Sequence, residues 1–240
     1  MTASQIRFVF FDLGNILVSF ERERSFRNLT SLFEAESGYV DSNGNTVAAN
    51  VKADEVLNQH ELHNQLETGL ISEAEFVQSI RDRFAPVTGT DDDQAILRAI
   101  SDMFTPIETM QGVLSRVRES GLPIGILSNT CDAHWSWINQ QSYNVMEGPF
   151  DHIVLSYEAK SMKPDHAIYI EAETHAARIS GAQPNEILFL DDREENVAAA
   201  LDRGWNAEVC WGGPTAEAAL VRHGVLSHQL LTETEMDVQS

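Results

Sequence analysis

Ile6-Arg7-Phe8-Val9-Phe10-Phe11-Asp12-Leu13-Gly14-Asn15 is the stretch on which the fold turns. Residues 6 to 11 are nearly all apolar, as a strand buried on both faces requires, and the run stops abruptly at an acid, a glycine and an asparagine. Three later segments repeat the form. Ile124 to Leu127 precedes Ser128-Asn129, Ile153 to Leu155 precedes Ser156, and Ile187 to Leu190 precedes Asp191-Asp192. Helical patterns lie between and after them: Met110 to Glu119, Asp165 to Ile179 with Tyr169, Ala172 and Ala176 on one stripe, and Glu194 to Arg203 ending at Gly204. Strands alternating with helices predict a parallel sheet of βαβ units, whose ligands sit beyond the carboxyl ends of the strands. The polar groups at the four strand ends are therefore expected to meet in one crevice.

The segment from Phe20 to Thr105 breaks this rhythm. It carries amphipathic helical patterns over Glu23 to Phe33, Ala53 to Thr68, Ser72 to Phe84 and Asp92 to Phe104, without comparable strand signals. A helical insertion after the first strand is expected, within which Gly38 to Asn50 holds an Asn43-Gly44 turn signal. The tail from Ser227 is polar and acidic, and is expected to fray.

Composition narrows the partners. A net charge of −21 opposes binding to nucleic acid or to an anionic membrane, both of which need a basic surface. No apolar run reaches the length of a membrane span, and residues 1 to 7 lack the basic and apolar regions of a secretory signal. Two cysteines, Cys131 and Cys210, have neither the number nor the spacing of a disulfide framework or a zinc knuckle. A cytoplasmic protein acting on a small molecule, without nucleic acid or membrane partners, is the expectation. The sequence specifies no oligomeric state.

Chemistry is expected where the strand ends converge. A carboxylate such as Asp12 can attack phosphorus when a metal and cations neutralise the incoming phosphate. Alone, an acid after an apolar strand serves more often as a helix cap or turn residue. The other three ends alter that balance. Ser128 offers a hydroxyl, followed by backbone N–H groups, for phosphate oxygens. Lys160-Ser161-Met162-Lys163-Pro164-Asp165 concentrates two of the three lysines of an acidic chain, with Pro164 suited to a first helical position. Asp191 and Asp192 would repel one another unless they shared a cation, for which Mg2+ is the simplest choice.

In this order the four motifs resemble the haloacid dehalogenase (HAD) superfamily, and the likeness covers nearly the whole chain. It implies an α/β fold: a Rossmann-like parallel sheet core over residues 1–19 and 106–240, with an inserted helical cap of the C1 type over 20–105. It implies Asp12 as nucleophile and Lys163 as its catalytic partner. Mg2+ would be held by Asp12, the Gly14 carbonyl, Asp192 and Asp191, with Asn196 assisting through water, while Ser128, Asn129 and Asn15 would bind substrate. More narrowly, residues 11–18, Ser128 to His134, Lys163-Pro164-Asp165, residues 189–196 and the segment Gln65 to Ser72 are similar to the bacterial branch that includes α-D-glucose-1-phosphate phosphatase. A small phosphorylated metabolite is the implied substrate.

One position departs from the common phosphatase pattern. The second acid of the usual Asp-x-Asp pair, the general acid and base, is Gly14 here, and such help is typically worth about 10²- to 10⁴-fold. His134, or His63 and Glu67 from the insertion, are candidate proton donors, although a packing role suits His134 better. His60, His63 and Glu67 are candidates for substrate selection. Two other readings compete: a metal-free 2-haloacid dehalogenase using the same nucleophile against carbon, and a catalytically weak phosphometabolite-binding protein.

Overall fold

The structure, a computed structural model, describes residues 5–33, 60–82 and 92–227. The Gly38 to Asn50 segment, the first half of the 53–68 helical pattern, the His60 side chain and the tail beyond Ser227 lie outside the described residues.

Five parallel strands form the central sheet: β1 (Phe8–Phe11), β4 (Ile124–Ser128), β5 (His152–Leu155), β6 (Ile187–Asp191) and β7 (Asn206–Val209). They lie side by side in the order β5-β4-β1-β6-β7. The chain thus builds outward from β1 in one direction and then crosses back to β6. Between β1 and β6 the strand order reverses, which is where open α/β sheets place their ligands.

Alternation along β1 divides the core into two apolar layers. Val9 and Phe11 pack with Met110, Val113, Leu114 and Val117 of α5 (Thr109–Glu119) and with Ala216, Ala219 and Leu220 of α10 (Pro214–Arg222). Phe8 and Phe10 face the other way. They meet Ile168, Tyr169, Ala172 and Ala176 of α8 (His166–Ser180), and Val197 and Ala200 of α9 (Glu194–Asp202). Covering both faces explains why the strands read as unbroken apolar runs rather than as alternating patterns.

A third cluster joins the helices between β1 and β4. Leu29 of α1 (Arg22–Thr30), Leu66 of α2 (His60–Glu67), Phe76, Val77 and Ile80 of α3 (Glu73–Arg81), and Ile96, Leu97 and Ile100 of α4 (Asp93–Ser101) pack together. Ser72 starts α3 with a complete capping box against Glu75, so the first turn satisfies its own orphan N–H groups. The chain enters this layer through β2 (Val18–Phe20) and leaves it through β3 (Phe104–Pro106), and the two strands pair antiparallel.

The short strands β2 and β3, the edge strand β7, and the helices α6 (Asp132–Gln140) and α10 are the elements that periodicity did not reveal. Each three-residue strand of the ribbon exists only because its partner arrives from some 85 residues away, and β7 is a half-buried edge with Asn206 and Glu208 in its path. Pro164 also differs from expectation. Asp165 caps α8, so Pro164 precedes the helix instead of occupying its first turn. Among the described residues no helix is long and apolar enough to cross a membrane.

Candidate active site

Asp12 stands at the carboxyl end of β1, its N–H donating to the Leu190 carbonyl of β6, so the strand pair itself holds the two acidic ends together. Oxygen atoms of Asp12, Asp191 and Asp192 lie within 4.8 Å of one another. Lys163 enters this group from the loop after α7 (Ser156–Ala159). Its Nζ is 2.8 Å from Asp12 Oδ1 and 2.6 Å from Asp191 Oδ2, and it donates to the Leu127 carbonyl at 2.8 Å. All three ammonium protons are thereby used.

Asp191 is fully buried, and both its oxygens are occupied. The Arg193 N–H and the Asn196 amide donate to it in addition to Lys163. It acts chiefly as the anchor of Lys163. Asp192 is half-buried and receives one hydrogen bond, from Asn15 Nδ2 at 2.8 Å. Its carboxylate is the more available of the two. Asn196 therefore reaches Asp191 directly, where water mediation to a metal was the expectation.

The asparagines are committed to protein partners. Asn129 clasps the Lys163 backbone, donating to its carbonyl at 2.8 Å and accepting from its N–H at 2.7 Å. Asn15, in the left-handed region at φ 54, orients Asp192. In this arrangement their side chains position the charged groups. Ser128 ends β4, and its hydroxyl makes only a long 3.5 Å hydrogen bond among the described residues, to the Asn129 carbonyl. The Thr130 N–H is bonded to Ser156 Oγ, whose own proton can go to the Glu67 carbonyl at 2.6 Å. Lys160 stays outside the cluster and holds the Gly69 carbonyl.

Burial raises the Asp12 carboxyl from 3.8 to about 7, Lys163 opposing that shift and the Asp191 charge reinforcing it. Burial acts to lower Lys163, but its two carboxylate partners outweigh it and hold the ammonium above its ordinary value. With Asp12 ionised, three carboxylates against one ammonium leave two negative charges uncompensated in a small volume. Such a set of hard oxygen donors fits one divalent cation such as Mg2+.

Gly14 sits where an acid would stand in the common phosphatase pattern. A Cβ there would lie 3.2 Å from the Phe20 ring, so β2 has placed an aromatic in the space of the missing side chain. The backbone and ring groups that shape this site, such as the Leu127 carbonyl, the Arg193 N–H and Phe20, have no signature in the sequence.

The other expected groups form a second cluster. Ligand atoms of His63, Glu67 and His134 lie within 4.8 Å of one another. His63 Nε2 is 3.4 Å from Glu67 Oε1, and the His63 and His134 rings are 5.5 Å apart at their centroids. His134 is buried against Phe104, as a packing role requires, and burial drives it down to about 3, so the ring is neutral. A further depression of about 520 Å³, lined by Arg7, Pro123, Ser180 and Glu186, opens at the amino ends of the strands, away from both clusters.

The fold has close counterparts among solved structures. A HAD family enzyme from Bacteroides thetaiotaomicron, in complex with magnesium and inorganic phosphate, superposes with a TM-score of 0.67 at 26% identity, over 87% of this chain and 96% of that one. The L-2-haloacid dehalogenase of Xanthobacter autotrophicus shares the fold alone, with a TM-score of 0.52 at 15% identity over 85% and 76% of the two chains. By sequence, the (S)-2-haloacid dehalogenase of Pseudomonas fluorescens is 30% identical over 123 residues, half of this chain and half of that protein. The matched stretch thus spans about half the length of the curated relatives. The model of haloacid dehalogenase-like hydrolases matches residues 6–204, which include both acidic strand ends and Lys163, and the chain belongs to that family of hydrolases.

Proposed function

We propose that the chain is a Mg2+-dependent phosphatase that hydrolyses small phosphorylated metabolites through an aspartyl-phosphate on Asp12. The observation that carries the reading is the charge count at the strand ends: Asp12, Asp191 and Asp192 against Lys163 alone. A haloacid is itself an anion and would meet two surplus negative charges. A phosphate that arrives with a divalent cation would meet a balanced site.

Asp12, Asp192 and the Gly14 carbonyl would hold the ion, with Asp191 behind them. Bound there, Mg2+ would neutralise the nucleophile and the transferring oxygens together. Lys163 fixes the rotation of the Asp12 carboxylate through Oδ1 and lends its positive charge to the site, and the Ser128 hydroxyl donates to a phosphate oxygen. A carboxylate oxygen of Asp12 bonds to phosphorus as the ester P–O bond breaks, and the departing oxygen takes up a proton. Water then attacks phosphorus, the bond to Asp12 breaks, and phosphate leaves.

Gly14 supplies no proton to the leaving oxygen, which favours leaving groups that need little help. Anomeric sugar phosphates and acyl phosphates have them. Helices α1–α4 act as a cap over residues 20–105, set on a core of residues 1–19 and 106–240, and choose among such substrates. Both cysteines are buried free thiols, consistent with a reducing cytoplasm.

A second reading, 2-haloacid dehalogenase, is favoured by the curated relatives. Hydrolysis of p-nitrophenyl phosphate and chloride release from (S)-2-chloropropionate, each with and without Mg2+, separate the two. Phosphate release that requires Mg2+ and vanishes in Asp12→Asn is expected. Metal-independent chloride release without phosphate release would select the dehalogenase. Micromolar binding of sugar phosphates with no turnover would select a binding protein.

A further inference from the structure

Helix α2 and helix α6 meet at three side chains that the proposed reaction leaves unused. His63 and Glu67 are one turn apart on α2, which places them on the same face. His134 faces them from α6, in the first turns after the Ser128-Asn129-Thr130 loop. His134 is buried, and its Nε2 has no hydrogen-bond partner among the described residues. A buried polar nitrogen left unpaired costs on the order of 1–3 kcal/mol, so the space beside it calls for an occupant.

We propose that His63, Glu67 and His134 form a second metal site, specific for an imidazole-preferring divalent transition ion of the Zn2+, Co2+ or Ni2+ class. The donor set is two imidazoles and one carboxylate. Its chemistry differs from the three carboxylates at Asp12, and imidazole nitrogen selects these ions over Mg2+. Tetrahedral coordination at the usual bond lengths puts ligand atoms about 3.3 Å apart, and His63 Nε2 and Glu67 Oε1 already stand at 3.4 Å. A ring nitrogen of His134 lies within 4.8 Å of both, and a fourth position would stay open to water or to a substrate oxygen.

The site would have a mechanical consequence. Glu67 is the last residue of α2, and its carbonyl accepts from Ser156 at the end of β5. An ion on His63, Glu67 and His134 would add a further tie between the helical layer and the core, beside the reactive crevice. The proposal is independent of whether Asp12 attacks phosphorus or carbon.

Co2+ titrated into the full chain in saturating Mg2+ is the test, read by its visible d–d bands and by bound-metal stoichiometry. Wild type and Asp192→Asn are expected to bind one Co2+ with histidine-type bands and to gain thermal stability from it, as any ligand of the folded state confers. His63→Asn and His134→Asn should each weaken that binding by more than about 10-fold, beyond the lower end of effects seen when only supporting residues are lost. His134 is buried, so its variant could fold poorly. His63 is partly exposed, and the His63→Asn result decides alone if circular dichroism shows the His134 variant to be disordered. Absence of Co2+ binding to wild type in saturating Mg2+ overturns the proposal. So does binding that survives His63→Asn unchanged, or that is lost in Asp192→Asn.

Discussion

Lys163 spends all three of its N–H bonds within the protein before any ligand arrives, and each bond fixes a different part of the crevice. Its charge keeps Asp12 and Asp191 together, while burial resists that charge state and raises Asp12 to about 7. Two results are expected from that one shift. In the proposed reaction Asp12 attacks as the carboxylate, so kcat/KM for p-nitrophenyl phosphate should fall as pH drops through the Asp12 value. Raising Mg2+ favours the carboxylate and should move this acid limb to lower pH, which pH profiles at low and saturating Mg2+ would show. Stability should respond with the opposite slope in chelator. Between the unfolded value of 3.8 and the folded value of about 7, the folded state keeps a proton that the unfolded chain has released. The contribution of Asp12 to stability is therefore present below pH 3.8 and lost as pH rises through 7. Thermal melts in EDTA should place Asp12→Asn above wild type at pH 8, by about 2–4 °C per kcal/mol recovered, with the two converging near pH 4.

At the scale of elements, the turn from α2 to α3 decides how the helical layer meets the sheet. Gly69 has φ +66, and a Cβ there would lie 2.3 Å from the Tyr157 carbonyl and 2.5 Å from Lys160 Nζ. Lys160 can bend away, but the α7 backbone cannot. The close approach lets Lys160 bond the Gly69 carbonyl and keeps the end of α2 on Ser156. Gly69→Ala is expected to cost about 1–3 kcal/mol through strain at positive φ and backbone collision. It should lower the melting temperature and raise KM more than it lowers kcat, since it displaces the helical layer and leaves Asp12 and Lys163 untouched. A variant as stable as wild type would show that the turn is not under this constraint. The β2–β3 ribbon has a comparable local effect, because Phe20 of β2 fills the space beside Gly14.

Across the whole molecule, 37 acidic residues face 16 lysines and arginines, and most of the resulting −21 has to reside on the surface. Such an excess repels itself in the compact state. Added NaCl shortens the Debye length from about 30 Å at 0.01 M to about 10 Å at 0.1 M, so the melting temperature in EDTA should rise over that range. A fall would mean that attractive ion pairs such as Arg24–Asp102 and Arg203–Glu173 outweigh the net repulsion. The sheet sets a local exception to this field. By reversing its strand order between β1 and β6, it brings Lys163 and the acidic strand ends together in one crevice.

The four apolar runs and their polar ends determined the parallel α/β core, because a strand buried on both faces has to be apolar throughout and can turn polar only where it emerges. That pattern also marked Asp12, Asp191 and Asp192, and the clustering of lysines marked Lys163; the side chains of all four carry their charge in their identity. Only the tertiary structure decided how these residues divide the work. Asp191 anchors the lysine while Asp192 stays available, and the side chains of Asn129 and Asn15 hold the Lys163 backbone and Asp192. Those assignments depend on the distances at which backbone carbonyls and N–H groups arrive, and every residue has such groups. The ribbon of β2 and β3, the ring of Phe20 beside Gly14, and the meeting of His63, Glu67 and His134 from two helices likewise arise from contacts between distant segments, to which no local pattern responds.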